Sequence, residues 1–236
     1  MHKPNEHVHH ADRQSLGIDQ RHRHRREGEM SISNERKAAL ILAAIALSEG
    51  MAVLWLLLGN GWRFIAYLGF APGRAGTALG WVAALLVTIG FVRISLRMPS
   101  VRANLWRPSG LKLLALAVAI AAGILEEAVF RKTIMDAAMR HGFIAATQVA
   151  LSALAFGLAH GIWGLFGRSV RAAIGATVAT GILGAALAIV YLIAGRSLAP
   201  CIAAHFAINL AIEPGLVLAA TRGEMNARAA KMMKVR

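Results

Sequence analysis

Six apolar blocks divide the chain between residues 38 and 220: 38–59, 77–94, 111–130, 143–166, 172–195 and 197–220. Each is close to the ~20 residues that a helix needs to cross a bilayer. Charged residues are 16% of the 236 and hydrophobic ones 57%, with a mean hydropathy of +0.54. A soluble domain carries roughly 25% charged residues, so too few polar groups are left here to cover a water-facing surface. The expected fold is all-α: a polytopic transmembrane bundle of about six spans over 38–221, with a polar site buried between helices.

Lysine and arginine set the orientation of such a bundle. Twenty of the 26 lie in the amino tail 1–37, in the connections 93–112 and 161–171, and after residue 220. The other six are Arg63, Arg74, Arg131, Lys132, Arg140 and Arg196. Both termini are therefore expected to be cytoplasmic, as an even number of spans requires. The formal net charge of +14 is largely this asymmetry, so it argues for membrane lipids as partners and not for nucleic acid. High alanine and arginine content and compact length suit a bacterial cytoplasmic membrane.

The flanks carry less information. Residues 1–37 hold six of the nine histidines and lack the apolar core of a signal peptide. They read as a disordered cytoplasmic tail, or as an over-extended start ahead of Met30. Residues 222–236 form a short basic tail suited to an anionic leaflet. The single cysteine, Cys201, excludes an internal disulfide and reads as a small packed hydrophobe.

A charge at the centre of a bilayer helix costs roughly 2.5–3.5 kcal/mol, so polar residues inside the blocks need a reason. They are Glu49, Glu126, Glu127, Arg131, Asp136, His160, His205, Asn209 and Glu213. Glu127 and Arg131 are one helical turn apart in the favourable order for an ion pair. Glu126 is turned about 100° away from Glu127 and has no local partner. Phe156 and His160 share one helix face, and His205 and Asn209 share another. Glu49 reads as a snorkelling or paired acid, and Glu213, before Pro214, as a helix break.

Taken together, Glu-Glu-x-x-x-Arg (Glu126, Glu127, Arg131), Phe-x-x-x-His (Phe156, His160) and His-x-x-x-Asn (His205, Asn209) lie in order on three helices. This set resembles the CPBP family of CAAX proteases and bacteriocin-processing enzymes, intramembrane glutamic endopeptidases. The motifs run from 126 to 209, and the resemblance extends over roughly 111–220. Lys132 departs from the glycine that often follows the arginine in bacterial relatives.

The resemblance implies hydrolysis of peptide bonds in a membrane-bound peptide or protein substrate. A carboxylate in apolar surroundings can act first as base and then as acid near neutral pH, because burial disfavours its charged form. The family role of activating water falls on Glu126, with His160 helping to hold that water. His205 and Asn209 are implied donors to the oxyanion, while Glu127, Arg131 and Phe156 support them. No cofactor is expected. Glu126, His160 and His205 could also form a His₂Glu zinc set, and the residues alone leave that alternative open. Two other functions stay open: a scaffold or bacteriocin-immunity protein on the same fold, and a proton-coupled transporter, which also places Glu and His in its spans.

Overall fold

The computed structural model describes the backbone of residues 7–166 and 169–224, and side chains over 32–164 and 169–224. Among these residues every regular element is helical. Helix α1 is His7–Asn60, followed by a 3₁₀ turn (Gly61–Arg63) and α2 (Phe64–Tyr67). Next come α3 (Ala78–Ser95), α4 (Pro99–Asn104) and α5 (Gly110–Glu127), which runs into a π-helical segment (Ala128–Met135) and α6 (Asp136–Arg140). The chain closes with α7 (Ala145–His160), α8 (Trp163–Phe166), α9 (Val170–Ile193), α10 (Ala199–Ile212) and α11 (Gly215–Thr221).

All six apolar blocks are helical, and the protein is a multi-pass integral membrane protein. Among the described residues four helices are long and apolar enough to span a bilayer, or five when α10 and α11, bent by 52°, are taken as one span. The sixth block is divided. Its main helix, α7, has 16 residues, about 24 Å at 1.5 Å per residue, which is short of a ~30 Å hydrocarbon core. A turn at Gly161 ends it before α8 begins. Against the expected count of about six, the described residues hold four or five candidate spans plus this short helix.

The amino segment differs from the expected disorder: its backbone is helical from His7. Extending a formed helix adds one hydrogen bond per residue without a new nucleation cost, so the α1 span can carry polar turns ahead of it. Residues 1–6 and the basic tail from 225 onward lie outside the described residues.

Local chemistry sets the helix starts. Thr77, Ser109 and Ser169 cap α3, α5 and α9 by accepting from the amides of Gly80, Lys112 and Ala172. Thr77 also donates its hydroxyl to the Ile193 carbonyl at 2.8 Å, joining the start of α3 to the end of α9. As expected, α10 breaks at Glu213–Pro214. Lys112 of α5 fills the break by donating to the carbonyls of Leu210 and Glu213, while the Glu213 carboxylate accepts from the Val217 amide at 3.2 Å. The carbonyls freed at a helix end are thereby satisfied without water.

Packing is inside-out relative to a soluble protein. Val170, Ile174, Val178 and Ile182 form an exposed stripe at four-residue spacing on α9, and Leu79, Val82, Leu86 and Ile89 cover α3. Glu127, Arg131, Asp136, Gln148, Ser152 and His205 are buried. Helix α10 contacts α5, α3 and α9; α1 lies along α5, and α7 along α9. The α7–α9 approach depends on absent side chains. A Cβ on Gly157 would sit 2.6 Å from the Thr177 carbonyl oxygen, and one on Gly184 would sit 3.0 Å from the Phe156 Cβ. Small residues let helices approach this closely where there is no hydrophobic drive between them.

Candidate active site

The polar residues converge where α5, the π segment, α7 and α10 meet. Glu127 is fully buried and touches two partners. Its Oε2 lies 3.0 Å from Arg131 Nε, and its Oε1 is 2.7 Å from His205 Nδ1. The expected Glu127–Arg131 pair is present, and the contact to His205 adds to it. Arg131 Nη2 donates to the Gly184 carbonyl at 3.1 Å, and the guanidinium lies 4.8 Å from the centre of the Phe156 ring. The Glu127–Arg131 contact lacks hydrogen-bond alignment, since Oε2, Nε and Nη1 are otherwise unpartnered. It is therefore an ion pair at close range rather than a bidentate fork.

Phe156 forms the middle of the site. Its ring stacks on His160 at 4.5 Å between centroids and meets His205 edge-on at 5.7 Å and Phe130 at 5.0 Å. His160 Nδ1 lies 2.8 Å from the Phe156 carbonyl oxygen. A carbonyl only accepts, so the ring proton belongs on Nδ1 and the neutral ring presents Nε2 as an acceptor. That Nε2 faces Glu126 Oε2 at 3.6 Å, and His205 Nε2 faces the same oxygen at 3.7 Å. Both separations exceed a direct hydrogen bond, and Glu126 Oε2 has no hydrogen-bond partner. The three atoms converge without bonding one another, so a water seated beside them can reach each.

The seven motif residues are not equally placed. Glu126, Glu127, Arg131, Phe156, His160 and His205 form one contact group. Asn209 lies a turn below His205, half-buried, and its side-chain amide makes no hydrogen bond among the described residues. A residue outside the motifs joins the group instead. Glu49 of α1 interacts electrostatically with Glu126 and His205, and its Oε2 is buried without a partner. Its only sequence signal is an acid between Ser48 and Gly50 in an apolar block. The π segment is a second feature that sequence reasoning misses. Such segments recur at functional sites, and this one carries Phe130 and Arg131 directly after the two acids. Thr133 Oγ1 donates to the Ala128 carbonyl, five residues back, at 3.1 Å. Among the described residues no group of three or more His, Cys, Asp or Glu is arranged to hold a metal ion.

The fold and this site define a class: a polytopic helical membrane protein enclosing a carboxylate–histidine centre between its spans. Residues 108–211, which contain all seven motif residues, match the family model described as type II CAAX prenyl endopeptidase Rce1-like, and over that region the chain is similar to this family of membrane endopeptidases. No curated protein and no solved structure matches the chain.

Proposed function

We propose that the protein is an intramembrane endopeptidase in which Glu126, assisted by His160, activates water for attack on a peptide bond of a membrane-associated substrate. The observation that carries this reading is the geometry around Glu126 Oε2, which faces two imidazole Nε2 atoms at 3.6 and 3.7 Å. A separate anchor holds each ring: the Phe156 carbonyl for His160 and the Glu127 carboxylate for His205.

Water between these groups gives one hydrogen to Glu126 and directs the other to the acceptor Nε2 of His160. Glu126 takes the proton as hydroxide attacks the carbonyl carbon, and the carbonyl electron pair moves onto oxygen. His205 Nε2 and the Asn209 amide are the nearby donors for that oxyanion. For Nε2 to donate while Nδ1 donates to Glu127, the ring carries both protons, and Glu127 is its counter-charge. The Glu126 carboxylic acid then passes its proton to the departing amine nitrogen, and the C–N bond breaks. Two carboxylates, Arg131 and a cationic His205 sum to zero charge. Moving the negative charge from Glu126 to the oxyanion keeps that sum, as a low-dielectric site requires.

The substrate class is a membrane-bound peptide, because the centre lies among helices whose outer faces are apolar. We also place both termini on the cytoplasmic side of a bacterial cytoplasmic membrane, on the lysine and arginine distribution. The test is Glu126→Gln, which keeps size and hydrogen bonding but removes the base. Cleavage of a membrane peptide panel should fall at least about 10²-fold, the low end for a general base, with the thermal midpoint retained. Full activity in that variant would exclude Glu126 as the base.

A further inference from the structure

A second polar site lies at the opposite end of the bundle from α4 and α11, and none of its lining residues belongs to the Glu126 group. The turn after α2, the π segment and the α9–α10 turn border an open cavity of about 500 Å³, lined by Tyr67, Arg74, Thr77, Lys132, Arg196 and Ser197 together with small residues of the two turns. Three of these side chains are cations. One carboxylate balances them: Asp136 Oδ1 lies 2.7 Å from Arg196 Nη1, and its Oδ2 lies 3.3 Å from Lys132 Nζ. Asp136 also accepts from the Tyr191 hydroxyl at 3.1 and 3.2 Å. Arg74 is exposed and forms no ion pair among the described residues. The cavity therefore keeps an excess of about two positive charges.

Its construction is costly for a simple turn. Arg196 is the one non-glycine with positive φ, 64°, among the described residues. That conformation costs an L-residue roughly 1–2 kcal/mol, and the neighbouring Gly195, at φ 65°, shows how a turn avoids it. The Arg196 side chain is held in place by Asp136, by Gln148 Oε1 at 2.5 Å and by the Tyr191 ring at 5.8 Å. Strain retained around an oriented guanidinium points to a use for that group. The amino ends of α3 and α10 also open here, at Thr77 and Leu198, and add their partial positive charge.

We propose that this cavity binds the phosphate of a phospholipid headgroup. Arginine is the residue best matched to phosphate oxygens. A lipid is favoured over a free anion because the cavity sits at the span ends, beside exposed Trp62, Phe70 and Trp81, the residue types of a membrane–water boundary. Below it the exposed Leu79 and Val82 of α3 offer a surface for acyl chains. Lys132 supplies one of the cations.

The test is thermal unfolding of the full chain in phospholipid-free detergent, titrated with phosphatidylglycerol, with diacylglycerol of the same chains, and with inorganic phosphate. Phosphatidylglycerol should raise the midpoint saturably and diacylglycerol should not. Inorganic phosphate should need a concentration at least roughly 100-fold higher, since it gains nothing from acyl burial. Arg74→Ala and Lys132→Gln should each weaken the lipid effect by roughly tenfold to a hundredfold, the scale of a hydrogen bond to a charged group. Arg74 is exposed and unpaired, so its variant folds even if the Lys132 variant does not. Equal stabilisation by diacylglycerol, parity between inorganic phosphate and the lipid, or unchanged lipid affinity in Arg74→Ala would overturn the assignment.

Discussion

Glu127→Gln separates the two tasks that the structure gives to one buried acid. A carboxylate has two acceptor oxygens, and here one faces Arg131 Nε at 3.0 Å and the other His205 Nδ1 at 2.7 Å. Glutamine has one acceptor oxygen and an –NH₂ group, so it cannot serve both partners. Arg131 is fully buried and would lose its counter-charge. Breaking such a pair from one side costs about 3–5 kcal/mol, equivalent to a midpoint lowered by roughly 6–20 °C in a chain of this size. Cleavage should fall at least about 10²-fold, the scale of losing one oxyanion donor, because His205 is no longer held.

The decisive variant is the double change Glu127→Gln with Arg131→Met. With the guanidinium gone, no buried charge is left unpaired, and the oxygen of the introduced glutamine is free to accept from His205 Nδ1. Stability should return to within about 1–2 kcal/mol of the parent, the usual result of replacing a whole buried pair. Activity should return only in part. A neutral amide replaces a charged partner of His205, and the difference between those two hydrogen bonds is about 1–1.5 kcal/mol, or roughly tenfold in rate. Thermal midpoints and cleavage of one peptide in one detergent read both quantities. If the double variant regains full activity along with stability, Glu127 serves only to balance Arg131 and the reasoning about His205 is wrong.

Three further outcomes follow from the same geometry. If the centre works without metal, the purified protein should carry no stoichiometric zinc and should keep its activity in phenanthroline; activity lost on chelation and restored by zinc would make Glu126, His160 and His205 ligands. Glu49→Gln should leave stability equal or raised by up to about 1–3 kcal/mol, since it removes a buried, unpartnered carboxylate oxygen, and a clear fall in midpoint would reveal a structural partner for Glu49. Reporter fusions at the amino end and after residue 225 should both give cytoplasmic signals; an external signal from either end would show that α7 does not count as a span.

The sequence is legible where one helix decides the outcome. Block length locates the helices, and four-residue spacing pairs Glu127 with Arg131. It is silent where the outcome depends on a partner far along the chain. His205 and Glu127 are 78 residues apart, and spacing within α10 says nothing about which ring nitrogen meets which acid. Glu49 stands out in the sequence but cannot be placed, for a related reason: its block on α1 is apolar all round, so no amphipathic face reveals which way its one acid points. The π segment has no signature either, because shifting the hydrogen-bond register by one residue alters no side chain. Lys132 and Asp136 are visible as oddities, but their shared cavity needs the α9–α10 turn to close it.

The two adjacent acids make sense once both edges of one imidazole are considered. Neighbouring residues on a helix point about 100° apart, and here they straddle the His205 ring. Glu127 holds Nδ1 at 2.7 Å, and Glu126 stands 3.7 Å from Nε2. The ring is thereby fixed in rotation and its outer nitrogen directed at the Glu126 carboxylate. Such a clamp cannot be built from acids one turn apart on α5, since those would lie on the same side of the ring. It also concentrates negative charge, and the bilayer tolerates that only because Arg131 is fully buried beside it, its guanidinium seated in turn 4.8 Å from the centre of the electron-rich Phe156 ring. The arginine and the phenylalanine that accompany the acids in the motifs are thus the electrostatic condition for placing two carboxylates side by side within lipid.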